Sequence, residues 1–106
     1  MKAWLCLGVW LTLFGGAHAE TCRATWYKQG FRTANGERFN PMGYTAAHLH
    51  IPFGTRLLVT YMGRSVIVRV NDRGPARWTG NCLDLAQGAA RKIDLHAGIV
   101  TFKRIN

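Results

Sequence analysis

Acidic side chains are few in this chain of 106 residues. Glu20, Glu37, Asp72, Asp84 and Asp94 are all there are, against fourteen lysines and arginines. Any chemistry that needs a carboxyl group therefore has a short list of candidates. Cysteine is equally sparse, at three residues, and none stands in a CxxC or HxxxH spacing, which argues against a zinc site. The basic residues are scattered singly, and no run of them reads as an arm for nucleic acid. No repeat, linker or low-complexity stretch follows residue 20, so a single domain is expected. The longest apolar run, residues 3–14, is too short to cross a bilayer comfortably.

That run has another reading. Lys2 places a positive charge before it, and Ala17-His18-Ala19 after it has the small-x-small form of a signal-peptidase site. Residues 1–19 are expected to direct export and be removed, leaving residues 20–106 as the domain. No cysteine stands where lipidation would require one: Cys22 follows Glu20-Thr21, and Cys6 comes too early. No integral membrane anchor should therefore remain, and the destination is periplasmic or secreted. A domain this small holds only a marginal core unaided. Its two remaining cysteines, Cys22 and Cys82, would meet an oxidising compartment and are expected to pair. Without Lys2, thirteen cations face five acids, a net charge of +8 that suits either solubility or an anionic polymer.

The β-rich residues 23–27 (RATWY) read as a short strand. Residues 30–40 read as a loop whose clearest turn is Asn35-Gly36. Residues 54–61 (GTRLLVTY) and 64–70 (RSVIVRV) are expected to form a hairpin about Met62-Gly63. Both look apolar on two faces, as in the wall of a closed barrel. Residues 85–93 are the only helical stretch, weakened by Gly88, with Asp84 in the N-cap position. Residues 98–104 close the chain as a strand. Short strands with one helix imply a compact β-barrel.

Among the acids, Glu20 is terminal and Asp94 lies beside Lys92, so solvation accounts for both. Glu37, Asp72 and Asp84 sit beside turn or cap signals, where a rigid frame often carries working groups. Asp72 lies between Arg69 and Arg73, which favours an ion pair and opposes a role as proton donor. On residue type alone, a structural Asp72 is the simpler reading.

The blocks RATWY, TANGERFN, YTAAHLHIPFGTRLLVT, VIVRVNDRGP and CLDLAQGAARKI stand in the order found in the rare lipoprotein A (RlpA) family. The resemblance covers nearly all of residues 23–104. It implies a mainly β fold, a small six-stranded double-psi β-barrel with one short helix, similar to expansins and barwin-like proteins. It also implies a lytic transglycosylase, a lyase that cleaves the MurNAc–GlcNAc bonds of peptidoglycan strands, preferably peptide-free ones, leaving 1,6-anhydromuramyl ends. Neither metal nor organic cofactor is called for, peptidoglycan glycan is the expected partner rather than nucleic acid, and a monomer is expected.

The functional acid of the family's NDRGP block falls on Asp72, the glutamate of NGERF on Glu37 and the histidine of TAAH on His48. These three are the catalytic candidates, with Glu37 and His48 more suited to orienting sugar or Asp72 than to donating a proton. One carboxyl group can serve as acid and then as base, and Asp72 is expected to do both, provided its pKa is raised by burial or by a neighbouring acid. Asp84 is either that neighbour or a helix cap; the serine that usually follows two residues later in the family is Ala86 here. Trp26 and Tyr27 alternate across a strand, so one can face the core while the other stacks on sugar. Asn71 and Arg73 are candidates to bind hydroxyls or the lactyl carboxylate. His50 and His96 read as structural, and Trp78 lies in a loop facing the same region. The family's lipobox and SPOR domain do not appear in the sequence. Two other readings stay open: an expansin-like glycan binder without catalysis, and a hydrolase using Asp72 and Asp84 as paired carboxyls.

Overall fold

The computed structural model describes residues 18–106. The export segment expected over residues 1–19 lies outside them, apart from His18 and Ala19. Six strands close into one barrel: β1 (Glu20–Tyr27), β2 (Thr45–Ala47), β3 (Arg56–Tyr61), β4 (Arg64–Asp72), β5 (Leu83–Ala86) and β6 (Gly98–Arg104). A single helix, α1 (Gln87–Lys92), follows β5, and a short 3-10 turn spans Arg77–Thr79. Around the barrel the order is β1-β5-β2-β4-β3-β6. The pairs β1/β5 and β2/β4 run parallel, and every other pairing is antiparallel. This is the mainly β, six-stranded barrel with one helix that the sequence implied, and it fits a double-psi barrel.

Alternation fills the interior. Val66, Val68 and Val70 from β4 meet Leu57 and Val59 from β3, Leu83 and Leu85 from β5, and Val100 and Phe102 from β6. The two hairpin strands are not buried on both faces as their composition suggested. Ile67, in register with Leu58, is 42% exposed, because the outer face of this wall is left uncovered. The hairpin turn is as expected: Met62 and Gly63 have φ of 50° and 81°, the two positive values a tight two-residue loop requires. Cys22 and Cys82 form the expected disulfide across 60 residues of sequence. Closing a loop of that size contributes about 4 kcal/mol by chain entropy.

The helix begins later than the sequence pattern indicated. Ala86 occupies the N-cap position and makes no side-chain cap bond, so Asp84 is no cap; it belongs to β5. Gly88 has a packing reason rather than being a defect. Its N–H donates to the Pro41 carbonyl at 2.8 Å, and a Cβ there would come within 2.7 Å of Met42 Cα and overlap the Met42 carbonyl. The helix thereby holds residues 41–42 against the barrel and fixes the approach to β2.

Candidate functional site

The site is aimed by an irregularity in one strand. Continued strictly, the alternation of Val66, Val68 and Val70 would turn Asp72 into the core. Instead Val70 pairs with Ala46 and Asp72 pairs with Ala47, so β4 carries one extra residue at this point. Such a bulge shifts every later side chain to the other face. Asp72 is thereby brought to the outer surface, beside Ala47. On its other side Ala47 pairs with Asp84 of β5, and Asp84 pairs with Thr25 of β1. Thr25, Asp84, Ala47 and Asp72 thus form one row across four strands. Asp84 faces outward because Leu83 and Leu85 on either side of it are fully buried. The two aspartates are two strand spacings apart, roughly 10 Å between backbones, with only an alanine between them.

Three donors converge on Asp72. Its Oδ2 accepts from the Tyr27 hydroxyl at 2.9 Å, and its Oδ1 from the N–H of Ala34 at 2.8 Å and of Arg73 at 2.9 Å. The Tyr27 ring stacks on Phe39 with centroids 4.7 Å apart and planes 10° from parallel. Burial first, then Asp72 and its charge, then the charge of Asp84 hold the Tyr27 hydroxyl far above its ordinary pKa, so it remains a donor. Asp84 is also raised. Burial is the main cause and the Asp72 charge adds to it, against the lowering effect of the Thr25 hydroxyl donating at 2.8 Å. Burial thus makes Asp84 easier to protonate than an exposed aspartate, while the Asp72 oxygens are met by three hydrogen-bond donors.

Glu37 is committed elsewhere. The Arg69 guanidinium grips both its oxygens, at 2.6 and 3.0 Å, and the side-chain amides of Asn71 and Asn35 each donate at 3.0 Å. These donors, Arg69 foremost, hold its pKa at about 2. The cage ties the turn of residues 33–37 to β4, and that turn delivers the Ala34 N–H to Asp72. Thr33 Oγ1 and Glu37 N–H both bond to Asn35 Oδ1, which closes the same turn.

His48 reaches Asp72 through the backbone: its N–H donates to the Asp72 carbonyl at 3.2 Å. Its ring nitrogen Nδ1 accepts from the N–H of His50 at 3.0 Å and of Ile51 at 3.1 Å. A proton on Nδ1 would displace both donors. The two donors assign the ring proton to Nε2, and burial chiefly, with His50 adding to it, lowers the pKa in the same sense.

The expected substrate contacts are redistributed. Asn71 is 2% exposed and serves Glu37, so it cannot meet a ligand directly. Arg73 Nη1 donates to the carbonyls of Ile51 at 2.9 Å and His48 at 3.2 Å, and the guanidinium lies 3.9 Å from the Phe53 ring centroid. It clamps the loop after β2 and leaves Nη2 without a protein partner among the described residues. Trp26 and Tyr27 do alternate. Trp26 packs against the core and lines a cavity beside α1, while Tyr27 gives its hydroxyl to Asp72 and one ring face to Phe39. No group of three potential metal ligands occurs among the described residues, and no helix among them is long and apolar enough to cross a membrane.

The sequence reading missed Tyr27 as a hydrogen-bond donor, the Ala34 N–H, Thr25 and the Arg69–Glu37 pair. Only the last left a trace: Arg69 and Asn71 are two apart on one strand, so they share a face.

The family model described as lytic transglycolase matches residues 19–103. A probable endolytic peptidoglycan transglycosylase RlpA of Synechocystis is 56% identical over 79 residues, which are 70% of this chain and 24% of that protein. The endolytic peptidoglycan transglycosylase RlpA of Campylobacter jejuni is 47% identical over 79 residues, covering 70% of this chain and 28% of that one. The match thus spans about a quarter of the length of these relatives. Among solved structures, Streptomyces papain inhibitor superposes with a TM-score of 0.66 at 22% identity, over 84% of this chain and 96% of its own, a likeness of fold. With the family model matching almost the whole described barrel, the chain belongs to the lytic transglycolase family.

Proposed function

We propose that this protein is an exported lytic transglycosylase that cleaves the MurNAc–GlcNAc bonds of peptide-free peptidoglycan strands. The observation that carries this reading is the pairing of Asp72 and Asp84 on one outer face. One member is raised by burial and the other is held by three donors. The names of the RlpA relatives support the substrate and the reaction class.

Asp84 gives its proton to the glycosidic oxygen as the C1–O bond of the muramyl residue breaks. Asp72 takes the proton of the muramyl C6 hydroxyl as that oxygen closes on C1. No water is consumed, and the products are an anhydromuramyl end and a free hydroxyl on the departing sugar. Asp72 then releases its proton to solvent and Asp84 takes one up from solvent, which restores the starting state. Tyr27 and the Ala34 N–H orient the Asp72 carboxylate. Glu37 and His48 act at one remove: Glu37 through the turn that carries Ala34, His48 through its backbone bond to Asp72. A periplasmic or secreted monomer is part of the same proposal.

The test is to incubate the mature protein with peptide-free glycan strands and read product masses. Anhydromuramyl ends support the reading, reducing ends indicate a hydrolase, and the absence of cleavage leaves an expansin-like binder.

A further inference from the structure

Beyond the C-terminal ends of β2 and β4 lies a second concavity of about 350 Å³, lined by His48, Leu49, His50, Arg77, Gly80, Asn81 and Cys82. That volume is near the lower limit of ligand pockets, about 300–1,000 Å³, and suits one sugar unit. One lining residue ties the pocket to the strand that carries Asp72. His48 lines it and donates its backbone N–H to the Asp72 carbonyl, and Arg77 lies five residues after Asp72.

Its walls are rigid. Cys82 is held by the disulfide to Cys22 and by its N–H bonding to the Arg23 carbonyl at 3.0 Å. The segment 76–81 is cross-braced by the Thr79 hydroxyl, which donates to the Ala76 carbonyl at 2.7 Å and accepts from the Asn81 N–H at 3.1 Å. A site held this firmly loses little freedom when a ligand arrives.

Its chemistry is one-sided. No acid lines it, and Arg77 has no carboxylate partner among the described residues. Arg77 Nη2 instead lies 3.3 Å from His50 Nε2, so the guanidinium is positioned while its charge is unanswered. An arginine in that state is the residue best shaped to receive a carboxylate with two parallel bonds. Between the lining residues Arg77 and Gly80 stands Trp78, 88% exposed, with a bare aromatic face. An exposed tryptophan next in sequence to a cavity-lining arginine offers a sugar both an apolar surface for one ring face and a donor for its polar rim.

We propose that this pocket is a carbohydrate subsite next to the cleavage site, which takes a sugar bearing a carboxylate, with Trp78 stacking on the ring and Arg77 binding the acid. This rests on the transglycosylase reading for its location but not for its binding chemistry. A sugar carries the carboxylate rather than a peptide, because the exposed Trp78 follows the Arg77 cation directly in sequence.

The experiment measures binding by calorimetry to the full mature chain carrying Asp72→Asn, with three probes. These are a peptide-free tetrasaccharide of alternating GlcNAc and MurNAc, chitotetraose as its neutral counterpart, and a free acidic tripeptide. The muramyl probe should bind about ten- to a hundredfold more tightly than chitotetraose, the span for a hydrogen bond to a charged group. Adding Arg77→Gln should erase that ratio, Arg77→Lys should restore part of it, and Trp78→Ala should weaken both saccharides by on the order of tenfold. Equal binding of the two saccharides, a ratio indifferent to Arg77→Gln, or tighter binding of the tripeptide overturns the proposal. Both residues are exposed, and their replacement leaves the core intact. If the native protein releases no anhydro product while the Arg77-dependent ratio is present, the subsite stands and the transglycosylase reading falls. If product forms and the ratio is absent, the reverse holds.

Discussion

Replacing Tyr27 by phenylalanine removes one oxygen from the site and little else. The ring keeps its stack on Phe39, with centroids at 4.7 Å, and its place in β1. What disappears is the 2.9 Å donation to Asp72 Oδ2. A hydrogen bond to a charged partner is worth about 1.5–3 kcal/mol. If the bond matters only while Asp72 is receiving a proton, the whole of that falls on the barrier, and kcat should drop by about 10- to 150-fold. The two backbone donors from Ala34 and Arg73 remain to hold the carboxylate in place, so KM should change little. The assay is release of anhydromuramyl products from peptide-free glycan over a range of substrate concentrations. A kcat within about twofold of the native value, or a raised KM at unchanged kcat, would refute the assignment of Tyr27 as the group that positions Asp72.

Asp84→Asn should abolish cleavage while raising the melting temperature at neutral pH. The folded protein holds Asp84 above its unfolded pKa, so the ionised form is penalised; the gain in melting temperature should shrink as pH falls through the raised value. In the native protein the rate should fall as pH rises through the same value, and a flat profile from mildly acid to neutral pH would contradict a proton held there. Glu37→Gln should lower the melting temperature at pH 7, with the difference from native closing as pH drops from about 4.5 towards 2, because a depressed carboxyl stabilises only above its unfolded pKa. Gly88→Ala should destabilise by about 1–3 kcal/mol, outweighing alanine's better helix propensity, because the added methyl meets the Met42 backbone; denaturant midpoints measure it.

The β3–β4 hairpin and β6 were legible because each has a run of β-branched residues bounded by turn signals. β2 was not: Thr45–Ala47 is three residues long and two are alanine, so neither period nor propensity marks it. β5 was hidden by the helix that follows it without a break, since the Ala86 that ends the strand is also the N-cap position. The bulge at the end of β4 is the most consequential omission. Nothing in VRVND tells the reader that one residue is extra; the signal lies in the three-residue partner strand, which sets the register only once it is paired. For the same reason Asp72 looked like half of an ion pair. Its flanking arginines turn away, Arg69 to Glu37 and Arg73 to the loop after β2. Both partners are 22 or more residues distant in sequence and were out of reach of local reasoning.

The proton exchange at Asp72 is tested most directly by the masses of the fragments that the native protein and its Asp72→Asn variant release from peptide-free glycan strands. The account predicts fragments ending in anhydromuramic acid, each one water lighter than a hydrolytic product, from the native protein, and none from a variant that still folds. Anhydro fragments from both proteins at equal rates would contradict it.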